Sequence, residues 1–251
     1  MMADTKLIAV LLLPLLFCTG CTESGKERDL QSTLESLWNK YKAHSLIFKS
    51  DENPVAQGKE TSTDKIQTEE IIGPFGLKQG ISVEDLKKKY GFTETNKGPD
   101  EYGGMPPKPL YQLVQYVYIA TKNYGLCAIV GATDGVEINV FADQITGPFF
   151  DVGRLLEMKY GKPGRDIHQV KPGSALNRPQ DLAMAISRGE ATYTMTWLDG
   201  ENGMVLPNEL KKVELNVMGF SPTQALLTLT YKFKNYDGCL SEIRAEAIKS
   251  L

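Results

Sequence analysis

The sequence predicts an α+β fold: two helix-plus-antiparallel-meander units in tandem, preceded by an amphipathic helix and a polar linker. Three observations lead there. Strand-like stretches come in two groups, and short connections within each group make neighbouring strands antiparallel. Helical periodicity closed by glycine precedes each group. The end of the first helix, Leu86-Lys87-Lys88-Lys89-Tyr90-Gly91, recurs as Leu156-Glu157-Met158-Lys159-Tyr160-Gly161. Duplication of one helix-then-sheet unit explains the echo, with chance matching as the alternative.

The chain divides into a signal (1–20), a tether with helix and linker (21–70), a first α+β unit (71–147) and a second (148–251). Lys6 supplies a positive charge ahead of an apolar run, Leu7 to Phe17. That run is too short to cross a bilayer but has the length of a signal-peptide core. Cys18-Thr19-Gly20-Cys21 follows. The small residues before Cys21 resemble the bacterial lipobox, in which a peptidase cuts before an acylated cysteine, and this makes Cys21 the expected lipid anchor. Cys18 stands where that pattern prefers Leu. Cys18 as acceptor would place bulky Phe17 at the cut, and an ordinary secretory signal is the other alternative. Thr22, in place of the Asp that retains many lipoproteins in the inner membrane, implies the outer membrane, facing the periplasm.

Asp29 to Phe48 carries Leu30, Leu34, Leu37, Tyr41 and Phe48 at heptad a/d spacing, a stripe that fits an amphipathic helix on its own domain or lipid surface, or a short oligomerising coiled coil. Ser50 to Glu70 is a polar linker. Ser82 caps a helix that ends at Gly91, with Asp85 at the capping-box position. Asn96 to Pro109, rich in Gly and Pro, is a loop. Tyr111 to Thr121, Leu126 to Ala132 and Val136 to Phe141 are strands, the last two joined by a hairpin at Thr133-Asp134-Gly135. A helix spans Pro148 to Tyr160, with proline in its first turn. Another spans Pro179 to Arg188, with Asn177 as cap and Gly189 as stop. Ala191 to Leu198 alternates Ala191, Tyr193, Met195 and Trp197 against Thr192, Thr194 and Thr196, so one face is buried. Lys211 to Met218 and Ala225 to Lys234 follow as strands around a Ser221-Pro222 turn. Cys239 to Leu251 closes the chain as a helix.

A 41% apolar fraction supports a core, and a net charge of −3 argues against nucleic acid as a partner. Lys87-Lys88-Lys89 and Lys211-Lys212 are solvated faces. With Cys18 removed and Cys21 acylated, Cys127 and Cys239 remain. In an oxidising periplasm an even pair favours a disulfide over two buried thiols. Closing a loop of roughly 112 residues is worth about 4.7 kcal/mol in the chain-entropy relation.

Gly80-Ile81-Ser82-Val83-Glu84-Asp85-Leu86 through Tyr90-Gly91 resembles the opening of the BamE (SmpA/OmlA) lipoprotein domain. That family runs from a Gly-hydrophobic-Ser/Thr helix ending in Gly into an antiparallel sheet. The helix-sheet-helix-sheet order is similar to the β-lactamase inhibitor protein, two such units gripping an enzyme with a concave sheet. In the second unit Phe149-Phe150-Asp151 replaces the Gly-hydrophobic-Ser opening. The resemblance implies an architecture and a class of role, binding another envelope protein. It transfers no contact residue.

Catalytic motifs are absent from the sequence. Its two histidines are His44 and His168, and His168 with Asp166 is the pattern of a surface loop pair. No nucleophile elbow, zinc-protease helix or phosphate loop is present, and Cys127 and Cys239 lack zinc spacing. The sequence therefore implies no metal, no cofactor and no enzyme. A carboxylate-based hydrolase, or a small-ligand or peptide carrier, would use the cleft between the units. Strand aromatics are the candidate partner-binding residues: Tyr116 and Tyr118 on one face, opposite Val117 and Ile119, together with Tyr193 and Trp197. They are core if the face is covered and a binding surface if it is open.

Overall fold

Nine strands pair into one antiparallel sheet. They appear in a computed structural model that describes residues 73–95 and 100–249. The expected signal, Cys21, the amphipathic helix Asp29–Phe48 and the linker Ser50–Glu70 lie outside the described residues. The strands are β1 (Thr93–Glu94), β2 (Glu101–Gly103), β3 (Gln115–Thr121), β4 (Gly125–Ala132), β5 (Val136–Glu137), β6 (Arg165–Val170), β7 (Ala191–Leu198), β8 (Leu210–Ser221) and β9 (Gln224–Phe233). The helices are α1 (Val83–Lys88), α2 (Asp143–Tyr160), α3 (Leu182–Ser187) and α4 (Tyr236–Lys249).

The spatial order is β1-β2-β3-β4-β9-β8-β7-β6, with β5 also paired to β9. The class is α+β, as the periodicities predict. The expected boundary at 147/148 lies inside α2, and β4 pairs directly with β9 from Ala128↔Lys232 to Ala132↔Thr228. One sheet and one hydrophobic cluster therefore run through the place where a cleft between units was expected. Burial drives this, because β4 is buried along its whole length, so its backbone N–H and C=O groups need a strand on each side.

One cross-strand row shows how the core is built. Tyr118, Ile129, Tyr231, Val213 and Trp197 are successive register partners across β3, β4, β9, β8 and β7, so they share one face. All five are buried. α2 covers this face with Ile145, Phe149, Val152 and Leu156 at helical spacing. α3 packs beside it on β7 and β8.

α1 forms as expected. Ser82 Oγ accepts from Asp85 N–H at 3.1 Å, and after Gly91, at φ +69°, Phe92 N–H returns to Leu86 C=O at 3.0 Å. α2 begins earlier than Pro148. The apolar stripe starts at Ile145, and burying it keeps the proline inside the helix. The predicted Pro179–Arg188 helix is a 3-10 turn, Pro179–Asp181, leading into α3. Its cap is Arg178 instead of Asn177, and the Arg178 guanidinium donates to Asp181 at 2.7 Å.

The Asp134-Gly135 hairpin does not form. A tight primed turn needs positive φ at one central residue or both, and neither Asp134 nor Gly135 has it. The chain instead continues along β9. Thr133 N–H donates to Leu227 C=O at 3.0 Å, and Thr133 Oγ1 accepts from Leu227 N–H at 3.1 Å. β5 then pairs Val136↔Ala225. Five residues on this strand (Ala132 to Val136) oppose four on β9 (Thr228 to Ala225), which is a β-bulge. β3 starts at Gln115, later than Tyr111, β2 and β6 arise where loops were expected, and β1 lies between the expected helix and loop.

Cys127 in β4 and Cys239 in α4 form the expected disulfide, with Cα atoms 6.5 Å apart and both side chains fully buried. Asn235 reinforces the junction: its Nδ2 donates to the carbonyls of Tyr124 and Leu126 at 2.9 and 3.1 Å.

Candidate functional site

The aromatic surface expected from Tyr116, Tyr118, Tyr193 and Trp197 is formed by only one of them. Tyr116, Tyr118 and Trp197 are buried. Tyr116 OH bridges Leu110, accepting from its N–H at 2.9 Å and donating to its C=O at 3.2 Å. Tyr118 OH donates to Gly104 C=O at 3.0 Å, and the Tyr118 ring stacks on Phe92 at 4.1 Å. Burial raises the Tyr118 phenol well above its ordinary pKa. The strands do alternate as predicted, but the face bearing these rings is covered, and Val117 and Ile119 on the opposite face are buried as well. Cys127 and Cys239 brace the scaffold, and Cys21 lies outside the described residues.

Tyr193 is the exception. It sits half-buried on β7, next to the end of the sheet, with burial raising its phenol pKa. Its register partner across to β6 is His168. Phe149 and Phe150 of α2 approach Tyr193 edge-on at 5.6 and 6.3 Å, and Phe150 also meets the His168 ring edge-on at 5.4 Å. His168 Nδ1 lies 3.3 Å from Asp166 Oδ1. These side chains are about half and two-fifths exposed, at 51% and 38%. The surface pair expected from sequence is present, standing on a strand over an aromatic shelf.

Among the described residues β6 is the last strand on its side of the sheet and pairs only with β7. The sheet's other end is the two-residue β1. Lys171 N–H donates to Glu190 C=O at 2.7 Å, in the same register as β6–β7. Antiparallel pairing alternates, so Arg165, Ile167 and Gln169 bond to β7 while Asp166, His168 and Val170 turn their N–H and C=O groups outward. Side chains alternate as well. Asp166 and His168 lie over the aromatic shelf, and Arg165, Ile167 and Gln169 lie on the opposite face.

Such an edge can add one more strand through main-chain hydrogen bonds, with selectivity from Asp166, His168 and Ile167. Arg165–Val170 escaped prediction because only Ile167 and Val170 are strong strand formers. The punctuation of Gly164 before it and Pro172-Gly173 after it was the available signal. Among the described residues no group of three or more His, Cys, Asp or Glu is placed to hold a metal ion. Comparison with protein families, characterised proteins and solved structures finds no match to this chain.

Proposed function

We propose that this protein is a lipid-anchored component of the bacterial envelope that binds a protein partner without catalysing a reaction, and that β6 is its binding edge. The observation that carries this is the six-residue outer strand with its outward main-chain groups at Asp166, His168 and Val170, above the half-exposed Phe150–Tyr193 shelf. The lipobox-like Thr19-Gly20-Cys21, followed by Thr22, supports an anchor at Cys21 and an outer-membrane home facing the periplasm. A buried disulfide suits that oxidising compartment. The BamE-like opening Gly80–Gly91 supports an envelope-binding role by resemblance.

The test is a photo-crosslinking residue placed at Ile167 in the full chain and expressed in cells. We expect a discrete adduct with protein, absent when the same residue replaces exposed Val205. His168→Pro should remove it, because proline deletes an outward N–H and leaves the β6–β7 bonds intact. Equal adducts from positions 167 and 205, or none from 167, would overturn the reading.

A further inference from the structure

We infer that the first partner of the β6 edge is a second copy of this chain, added antiparallel about a two-fold axis through Ile167. This rests on the reading of β6 as a binding edge and names its occupant. A symmetric antiparallel pair must set outward-facing residues opposite outward-facing residues. The outward positions Asp166, His168 and Val170 leave few choices. An axis at 166 sets Asp166 against Asp166, and an axis at 168 sets His168 against His168. Like groups directly opposite gain nothing and are disfavoured when charged. An axis at 169 sets Asp166 against Pro172, which has no N–H to donate.

The axis at 167 sets Asp166 against His168 twice. Each carboxylate then lies between its own imidazole, 3.3 Å away in this structure, and that of the other copy. Ile167, partly exposed on the opposite face, meets Ile167 there. Arg165 faces Gln169, so no like charges meet. The edge is self-complementary in this register, as an isologous contact must be. The same charges that blunt adventitious strand addition select this one. Anchoring both copies in one membrane would raise their effective concentration.

Single cysteines in the full lipidated chain, reconstituted in phospholipid vesicles, test the register. Cys127 and Cys239 are already bonded to each other. At the axis a non-hydrogen-bonded pair has its Cα atoms about 4.5 Å apart, within disulfide range. Ile167→Cys should therefore oxidise to a covalent dimer. Asp166→Cys and His168→Cys should each do so about tenfold less when alone, since each lies too far from its own copy, but should cross-link when mixed. His168→Asp in the Ile167→Cys background should lower the dimer yield, and Asp166→His added to it should restore the yield.

No dimer from Ile167→Cys, or equal homodimer yields at all three positions, would overturn the self-pairing. The photo-adduct at position 167 separates the two failures. An adduct with a different protein and no covalent homodimer leaves the binding edge standing and removes the second copy. The absence of both removes the edge as well.

Discussion

The indole N–H of Trp197, in β7, donates to the carbonyl of Gly161, the residue that ends α2, at 2.7 Å. One bond thus ties the sheet to the helix covering it and satisfies the polar atom of a fully buried ring.

Trp197→Phe should cost about 2 kcal/mol through the cavity and the unpaired carbonyl, read as a lower denaturant midpoint at unchanged slope. In a Trp38→Phe background, Trp197 emission should be blue-shifted and shielded from iodide. An unchanged midpoint, or emission that iodide quenches freely, would contradict this core placement.

Gly125 has φ +62°, and a Cβ there would lie 2.5 Å from the Gly80 carbonyl oxygen. That oxygen belongs to a backbone locked to β4, since Gly80 N–H donates to Leu126 C=O at 2.9 Å. Gly125→Ala should cost about 3 kcal/mol or more, combining strain and overpacking. Gly91→Ala shares the positive φ but has open space around it, so about 1 kcal/mol is expected. Thermal melts of the two variants separate contact from conformation, and equal shifts would count against the Gly80–Gly125 approach.

Replacing both Cys127 and Cys239 by Ala should lower stability by about 2–5 kcal/mol. Hydrogen exchange should rise first in α4, which the bridge holds against β4. Uniform loss of protection across the sheet, with α4 unaffected, would show that the bridge is not what holds the helix.

Two carboxylates shift in opposite senses. The Asp199 carboxylate accepts from Leu206 N–H at 2.8 Å and lies near Lys234, and these partners hold its pKa below the ordinary value. Its contribution is present above the unfolded pKa of about 3.9 and is lost as pH falls through the lower folded value. Asp100 is raised, first by burial and then by Glu242, Glu246 and Glu94. Its ionisation therefore opposes folding as pH rises through the folded value. Asp199→Asn should lower Tm at pH 7 and lose that effect in strong acid. Asp100→Asn should raise Tm at pH 7 and be neutral below about pH 4. The opposite signs would refute these environments.

The proposed anchoring at Cys21 predicts that Cys21→Ala leaves the protein unacylated and outside the membrane fraction, since a lipid anchor holds through buried methylenes at about 0.8 kcal/mol each. Retention of both acyl label and membrane attachment would disprove Cys21 as the site.

Features that depend on neighbouring residues were legible in the chain itself. Ser82 caps α1 and Gly91 ends it, because both devices are hydrogen bonds and dihedrals within a few residues. The strand Ala191–Leu198 was readable to its ends, because its threonines alternate with larger apolar residues. The echoed helix ends behave alike, with Leu86 and Leu156 both buried and Gly91 and Gly161 both at positive φ. The Cys127–Cys239 bridge followed from counting.

The tertiary structure alone decided which face was covered, which strand stood beside which, and where the sheet stopped. Alternation at Tyr116–Val117–Tyr118 says that two faces differ, but not which one α2 and Phe92 will cover. Asp134-Gly135 fits a hairpin locally, yet Thr133 and Val136 on either side of it take their partners from β9, and the segment is a bulge. β6 has too little apolar character to announce itself and exists because β7 offers a ladder of unpaired N–H and C=O groups. Strand pairing joins residues far apart in sequence, and its energy resides in partners that no short window of sequence contains.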